Sequence, residues 1–149
     1  MAVTQRLSSV SVWASYVIEC RREDGSFDES QVIALLKAHR PKAKRGLQKI
    51  QRLQDIGWPE ARTKLLIEHG RRAIVKPDDE EPTVWELKTN PHPWRFYFHI
   101  DEPEHHIIYA YSIYKTTTAA DPRDVASARR FLARLAQRTA RRVKIDFDE

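Results

Sequence analysis

The chain has 149 residues, of which 41% are hydrophobic and 9% aromatic, so it is long enough to bury a core and too apolar for general disorder. Its one cysteine, Cys20, excludes an internal disulfide. No apolar stretch has the length of a membrane span, and the N-terminus lacks the apolar core of a signal peptide. These features predict a single cytoplasmic domain over residues 1–149.

The charge distribution indicates a polyanionic partner. The formal net charge is +5, and lysines and arginines concentrate in residues 37–64 and 123–144, whereas residues 78–104 are mainly acidic. Clustered basic side chains bind phosphates, but the same charges can form the solvated faces of helices. Charge alone leaves both interpretations open.

The first half of the chain predicts one strand followed by a helical hairpin. Residues 12–21 are β-branched and aromatic and end at the turn signal Asp24-Gly25. The spacing of Ser26 and Glu29 is that of a capping box, which predicts a short helix ending before Pro41.

A second helix is predicted over residues 43–56, because apolar residues recur there at steps of three and four and Gly57 supplies a stop signal. Basic residues, including Arg45, Lys49 and Arg52, occupy the remaining positions and predict a basic outer face. Residues 58–70 are ambiguous, and residues 76–83 are predicted to form an acidic loop.

Three strands are predicted next, at Val84–Thr89, Trp94–Ile100 and His106–Tyr114. Short connections favour an antiparallel sheet with one face against the helices and the other open. A closing helix is predicted from Asp121-Pro122, which has an N-cap residue followed by proline. The predicted fold class is α+β: an N-terminal strand and a helical hairpin packed on an antiparallel sheet, with a C-terminal helix.

Side-chain alternation in the strands predicts which residues share a face. Trp94, Phe96, Phe98 and Ile100 alternate with the residues of the predicted open face. The last strand is predicted to place Ile107, Tyr109, Tyr111 and Ile113 on one side. The predicted open face contains Glu86, Lys88, Arg95, Tyr97 and His99, with Tyr114 and Lys115 at the end of the last strand.

Several enzyme classes are excluded. The four glycines are too far apart for a dinucleotide-binding fingerprint or a P-loop, and there is no nucleophile elbow. His105 and His106 are neighbours, so in a strand they point to opposite faces, and no carboxylate or thiol cluster completes a ligand set with them or with His92 and His99. We therefore expect neither a cofactor nor a metal site.

A cationic, aromatic sheet face suits RNA, because arginine and lysine bind phosphates and aromatic rings stack on unpaired bases. It also suits metal-independent cleavage by the ribose 2′-hydroxyl, with Lys88, Arg95 and Lys115 stabilising the phosphorane and a tyrosine or histidine transferring protons. The structural alternative is that Arg95 and Glu86 form a cross-strand ion pair and that the tyrosines close the core.

Short motifs from residue 84 onward resemble the RelE/HigB toxin family, in particular its phage-derived branch. They are VWELK at 84–88, WRFYF at 94–98, the apolar strand and lysine at 107–115, PRDV at 122–125 and ARR at 128–130. The predicted order of elements is also that of the family, and the likeness extends over residues 12–136. It implies the RelE-like fold and the toxin of a type II toxin–antitoxin system. Such a toxin is a ribosome-dependent mRNA endonuclease, neutralised by a cognate antitoxin of the helix-turn-helix type.

The resemblance also implies site residues. Arg95 matches the family's strand arginine, which contacts the scissile phosphate, and Lys88 replaces a second arginine while keeping its charge. Lys115 matches one of two paired lysines, and Tyr114 occupies the position of the other. These four are the expected catalytic residues. The expected RNA contacts are Tyr97, His99, Arg45, Lys49 and Arg52.

A different class of function remains open, namely a non-nuclease toxin or binding protein of the same fold. It would be a ParE-like topoisomerase inhibitor or an inactive nucleic-acid-binding domain. The residues themselves offer a test of the site. Arg95→Ala is expected to leave the fold intact if Arg95 lies on an open face, whereas truncating Phe96 on the opposite face should open a core cavity.

Overall fold

The computed structural model describes residues 12–64, 72–89, 93–115 and 121–147. The elements follow in the order β1 (Ala14–Cys20), α1 (Gln31–Ala38), α2 (Ala43–Ile56), α3 (Trp58–Lys64), β2 (Ile74–Val75), β3 (Trp85–Lys88), β4 (Trp94–Asp101), β5 (His106–Tyr114), α4 (Pro122–Ala136) and β6 (Ala140–Lys144). The predicted α+β class is confirmed. Within the described ranges, no helix is long and apolar enough to cross a membrane.

The strands form one mixed sheet in the order β2-β3-β4-β5-β1-β6. Strands β2 to β5 are an antiparallel meander, but β1 runs parallel to β5 and antiparallel to β6. The predicted antiparallel meander is therefore confirmed for β3, β4 and β5, whereas the sheet as a whole is mixed because β1 runs parallel to β5. A short turn between two consecutive strands makes them antiparallel, so the direction of such strands can be predicted from the sequence. β1 and β5 are separated by most of the chain, and no short turn indicates their relative direction.

Both faces of the sheet are covered, so the predicted open face is wrong. Trp94, Phe96 and Phe98 face the first core, against α1, α2 and α3. A second core lies between the opposite face and α4, where Val125, Ala128 and Leu132 are buried. Because this apolar stripe of α4 packs on the sheet, it covers the face that the alternation pattern left for solvent.

The first helix begins later than its predicted capping box. Ser30 is the N-cap residue, and its hydroxyl accepts a hydrogen bond of 3.1 Å from the backbone N–H of Ile33. Ser26 belongs to the preceding turn, where its N–H and hydroxyl donate to Asp24 at 2.9 and 2.6 Å, and Glu29 pairs with Lys37. The capping-box prediction is therefore wrong, because Ser26 is held by the turn.

Helix α2 has the predicted limits and ends at Gly57, whose φ of 87° requires the conformational freedom of glycine. Arg45 and Arg52 are exposed as predicted, but Lys49 is buried. Lys49 falls within the buried series Gly46, Ile50 and Leu53, at the three- and four-residue steps that face the sheet. Its predicted place on the outer face is wrong.

Strand β5 contains an irregularity that changes which face its side chains occupy. Phe98 pairs with Tyr109 and Tyr97 with Tyr111, so Ala110 is an extra residue between the two pairs. After this bulge Tyr111 packs in the second core, whereas Tyr109 faces the first. The prediction that alternate residues 107–113 share one side is wrong, because a bulge shifts the alternation by one residue.

The C-terminal part combines a confirmed helix with a strand that the sequence did not predict. The carboxylate of Asp121 caps α4 by accepting a hydrogen bond of 2.8 Å from the N–H of Arg123, with Pro122 in the first turn. After α4, Arg138 adopts a positive φ of 62°, and β6 pairs with β1.

Candidate nucleic-acid interface

A group of charged side chains lies on the α4 face of the sheet, and we call it the charged cluster. Its members are Glu86 and Lys88 on β3, Arg95 on β4, Lys115 after β5 and Asp124 in the first turn of α4. Lys88 and Arg95 are direct cross-strand partners, and the N–H of Lys115 donates to the carbonyl of Pro93 at 3.2 Å. Three cations from separate parts of the sequence are thus on one face.

The centre of the charged cluster is Glu86, which is fully buried. Its Oε1 atom lies 3.5 Å from Nζ of Lys88, and its Oε2 atom lies 3.8 Å from Nη1 of Arg95. Arg95 is itself only 5% exposed. A buried carboxylate needs paired charges, so Arg95 stabilises Glu86 as the structural alternative proposed.

Tyr97 is the cross-strand partner of Glu86 and is also fully buried. Burial, and next the negative charge of Glu86, raise the pKa of its hydroxyl far above the usual tyrosine value. The hydroxyl is therefore neutral at physiological pH and cannot act there as a base. With α4 in this position, the ring cannot stack on an RNA base.

Two members of the charged cluster reach solvent. The side chains of Lys88 and Lys115 are 30% and 34% exposed. Nζ of Lys115 lies 3.2 Å from Oδ2 of Asp124, which ties the end of β5 to α4. These two lysines are the members of the cluster that an approaching phosphate can contact without displacement of α4.

Tyr114 is not part of the charged cluster. Its ring stacks on His39 with centroids 4.3 Å apart and contacts Trp94 edge-on at 4.8 Å, on the face that packs against the first three helices. Successive strand residues point to opposite faces, so Tyr114 and the cluster lie on different sides of the sheet.

The expected RNA contacts are also divided between the faces. His99 lies further along β4 than Tyr97, and its Nδ1 atom is 2.7 Å from the carbonyl of Thr83. Arg45, Lys49 and Arg52 belong to α2, across the sheet. A single RNA-binding surface therefore cannot include all five expected contacts.

Asp124 is the member of the charged cluster that the sequence did not identify. It lies in the first turn of α4, where an acidic residue is favourable for the helix itself, and no local sequence pattern links it to Lys115. Among residues 12–64, 72–89, 93–115 and 121–147, no group of three or more histidine, cysteine or acidic side chains could hold a metal ion. His92 lies outside the described residues.

The chain matches no protein-family model, and comparisons with curated proteins and with solved structures found no match. The likeness to the RelE/HigB toxins therefore rests on the short motifs and on their order along the chain.

Proposed function

We propose that this protein is the toxin of a type II toxin–antitoxin system and acts on mRNA in the cytoplasm, as the resemblance to RelE/HigB toxins implies. The observation that supports this most is the grouping of Lys88, Arg95 and Lys115 on one sheet face. In the motifs, these are the residues at the family's basic positions. The ribosome as the place of action and a helix-turn-helix antitoxin belong to the same proposal and rest on the resemblance alone.

The proposed reaction is cleavage of the RNA backbone by its own 2′-hydroxyl. The 2′-oxygen gives its proton to a solvent water and bonds to phosphorus. The bond from phosphorus to the 5′-oxygen then breaks, and the 5′-oxygen takes up a proton from water. The products are a 2′,3′-cyclic phosphate and a 5′-hydroxyl. Lys88 and Lys115 are proposed to contact the phosphate and stabilise its added negative charge. Arg95 is buried, so it is proposed to contribute positive charge without touching the phosphate and to remain paired with Glu86.

A second candidate is a toxin or binding protein of this architecture without nuclease activity. The observation that favours it is the internal pairing of the charges: Arg95 and Lys88 lie beside Glu86, and Lys115 lies beside Asp124. Such an arrangement is also what a purely structural ion-pair network requires.

The test is induced expression in bacteria, with growth recorded and RNA ends sequenced. The wild type should arrest growth and cut mRNA within translated regions. Lys88→Met and Lys115→Met should each lower cleavage about tenfold or more. Lys115→Met should melt near the wild-type temperature, whereas Lys88→Met should melt below it, because it removes one of the two cations beside the buried Glu86. Lys44→Met, which removes an exposed lysine of α2 across the sheet, is the matched control and should remain active.

Three outcomes contradict the proposal. Growth arrest with intact mRNA would favour the non-nuclease candidate, and no arrest by the wild type would remove the toxin assignment. If Lys44→Met reduces cleavage as much as the two cluster variants do, the charged cluster is not the site.

A further inference from the structure

A concave surface separate from the charged cluster lies where β3 begins and β4 ends. Trp85 of β3 and His99 and Ile100 of β4 line it, together with Trp58 and Arg62 of α3 and Lys76 of the loop after β2. Its volume is about 220 Å³. We call it the indole pocket, because the indole rings of Trp58 and Trp85 both line it.

The ring of Trp85 is supported on one side and bordered by cations. Trp58 packs edge-on against it with centroids 4.9 Å apart. The guanidinium carbon of Arg62 lies 5.6 Å, and Nζ of Lys76 lies 6.0 Å, from the centre of the Trp85 ring. Cation–ring contacts made by exposed side chains are weak. Arg62 can therefore turn toward a phosphate while a planar ligand stacks on the indole, and Lys76 can do so by leaving its exposed ion pair with Asp79.

His99 is a further polar residue in the lining of the indole pocket. Nδ1 of His99 lies 2.7 Å from the carbonyl of Thr83, which sets the orientation of the imidazole at the pocket wall. The lining contains two cations, Arg62 and Lys76, and one carboxylate, Glu102, and Nζ of Lys76 also lies 3.4 Å from the exposed carboxylate of Asp79. Arg62 therefore offers the main contact for an anionic group, and the aromatic surface favours a flat ligand.

We propose that the indole pocket binds a nucleobase together with its phosphate. Stacking on tryptophan is sequence-tolerant and binds bases, and arginine and lysine bind the backbone phosphate. The volume is below the roughly 300 Å³ of pockets for drug-sized ligands, so it suits a single nucleobase with its phosphate at the rim. The source is either a free mononucleotide or an unpaired residue of single-stranded RNA. In the second case the inference rests on the proposed function and adds a base-binding subsite to it.

The experiment measures binding of adenosine 5′-monophosphate and of a 2′-O-methylated single-stranded RNA heptamer, which cannot be cleaved through its 2′-oxygens. Calorimetry and fluorescence anisotropy give the dissociation constants. Trp85→Leu and Arg62→Ala should each weaken binding about tenfold or more. Lys64→Ala should bind like wild type, since Lys64 is on the same helix but pairs with Glu60 at 2.9 Å.

Trp85→Leu keeps an apolar group against Trp58, and its melting curve shows whether it folds. Arg62 is exposed, so Arg62→Ala tests the pocket even if Trp85→Leu unfolds. Binding of the mononucleotide alone identifies a free nucleotide as the ligand, and binding of the heptamer identifies RNA. No binding of either probe by wild type, or equal binding by Arg62→Ala and Lys64→Ala, overturns the proposal.

These outcomes are separate from those of the proposed function. A wild type that cuts mRNA in cells but binds neither probe refutes the indole pocket only. A wild type that binds a probe through Trp85 and Arg62 but does not arrest growth refutes the toxin proposal only.

Discussion

Oε2 of Glu86 lies 3.8 Å from Nη1 of Arg95, and both side chains are buried beneath α4. The side-chain alternation of β4 predicted Arg95 on an open face, where its truncation would leave the fold intact. Burial beside a carboxylate reverses that expectation, because removing one partner leaves a buried charge with less compensation.

Arg95→Ala is therefore predicted to lower the free energy of unfolding by about 3 kcal/mol. Lys88 remains near Glu86, so the loss should lie at the lower end of the range for a broken buried pair. Denaturant unfolding followed by circular dichroism measures it. Arg45→Ala, which removes an exposed arginine of α2, should change stability by less than about 0.5 kcal/mol.

A second substitution separates charge from packing. Adding Glu86→Gln to Arg95→Ala removes the buried charge and should recover part of the lost stability. If Arg95→Ala unfolds like wild type, the ion pair does not stabilise the fold.

Gly46 provides a test of how closely α2 approaches the sheet. A Cβ atom at this position would lie 2.9 Å from Cζ of Phe96 and 3.3 Å from Cδ2 of Leu36. Both neighbours are buried, so they have little space into which to move away. Alanine normally stabilises a helix interior by about 1 kcal/mol relative to glycine, but overpacking costs about 1–3 kcal/mol.

Gly46→Ala is therefore predicted to destabilise the protein. The measurement is whether its melting temperature lies below or above that of wild type. A thermal melt compares it with Gly46→Ala combined with Phe96→Leu, in which the smaller side chain should relieve the contact. A Gly46→Ala protein that melts above wild type would show that α2 can move away from the sheet.

The elements with strong local signals were predictable from the sequence. The apolar spacing and Gly57 set the limits of α2, and Asp121-Pro122 set the start of α4. Strand β6 was not predictable in this way, because its sequence is mainly basic and it is held by backbone pairing with β1. The parallel β1–β5 pairing depends on contacts between distant parts of the chain, which periodicity does not report.

The candidate site was predictable in its composition but not in its exposure. Alternation correctly placed Glu86, Lys88, Arg95 and Tyr97 on one face, and the strand pairing confirms it. Alternation could not show that α4 covers that face. The sequence of an amphipathic helix indicates which of its own sides is buried, but not which surface that side packs against. Asp124 entered the site for the same reason, through the docking of α4.

Arg129 of α4 forms an ion pair with Asp78 in the loop after β2. This contact makes the free energy of unfolding depend on pH. Arg129 donates to both carboxylate oxygens of Asp78, at 2.9 and 2.5 Å, and to the carbonyl of Pro82 at 3.2 Å. The side-chain hydrogen bond from Arg129 holds the pKa of Asp78 below its ordinary value. The folded state therefore binds this proton more weakly than the unfolded chain does.

The contribution of the Asp78–Arg129 contact is accordingly full above the ordinary aspartate pKa of about 3.9 and is lost as pH falls through the lowered value in the folded state. Arg129→Gln should lower the free energy of unfolding by up to about 1 kcal/mol at pH 7. The difference from wild type should narrow toward pH 2. Arg130→Gln on the same helix is the control, and a gap that is constant with pH would contradict the role of Asp78.

The position of Tyr114 differs from the one that the family resemblance implies. The resemblance places Tyr114 among the catalytic residues, whereas its ring packs on His39 and Trp94 across the sheet from Lys115. The contacts of Tyr114 are made by its ring, which phenylalanine retains. Tyr114→Phe is therefore predicted to unfold like wild type and to keep any growth-arrest activity within about twofold of wild type. Tyr114→Ala removes the ring from a partly buried position and should cost about 2 kcal/mol.

The measurement pairs unfolding curves with growth arrest for Tyr114→Phe, Tyr114→Ala and Lys115→Met. Lys115→Met should lose activity while folding, since Lys115 is the exposed cation paired with Asp124. If Tyr114→Phe folds normally and abolishes growth arrest, its hydroxyl takes part in the reaction, and the site must extend around the sheet edge at the end of β5. If Tyr114→Phe remains active and Lys115→Met does not, the reaction belongs to the α4 face.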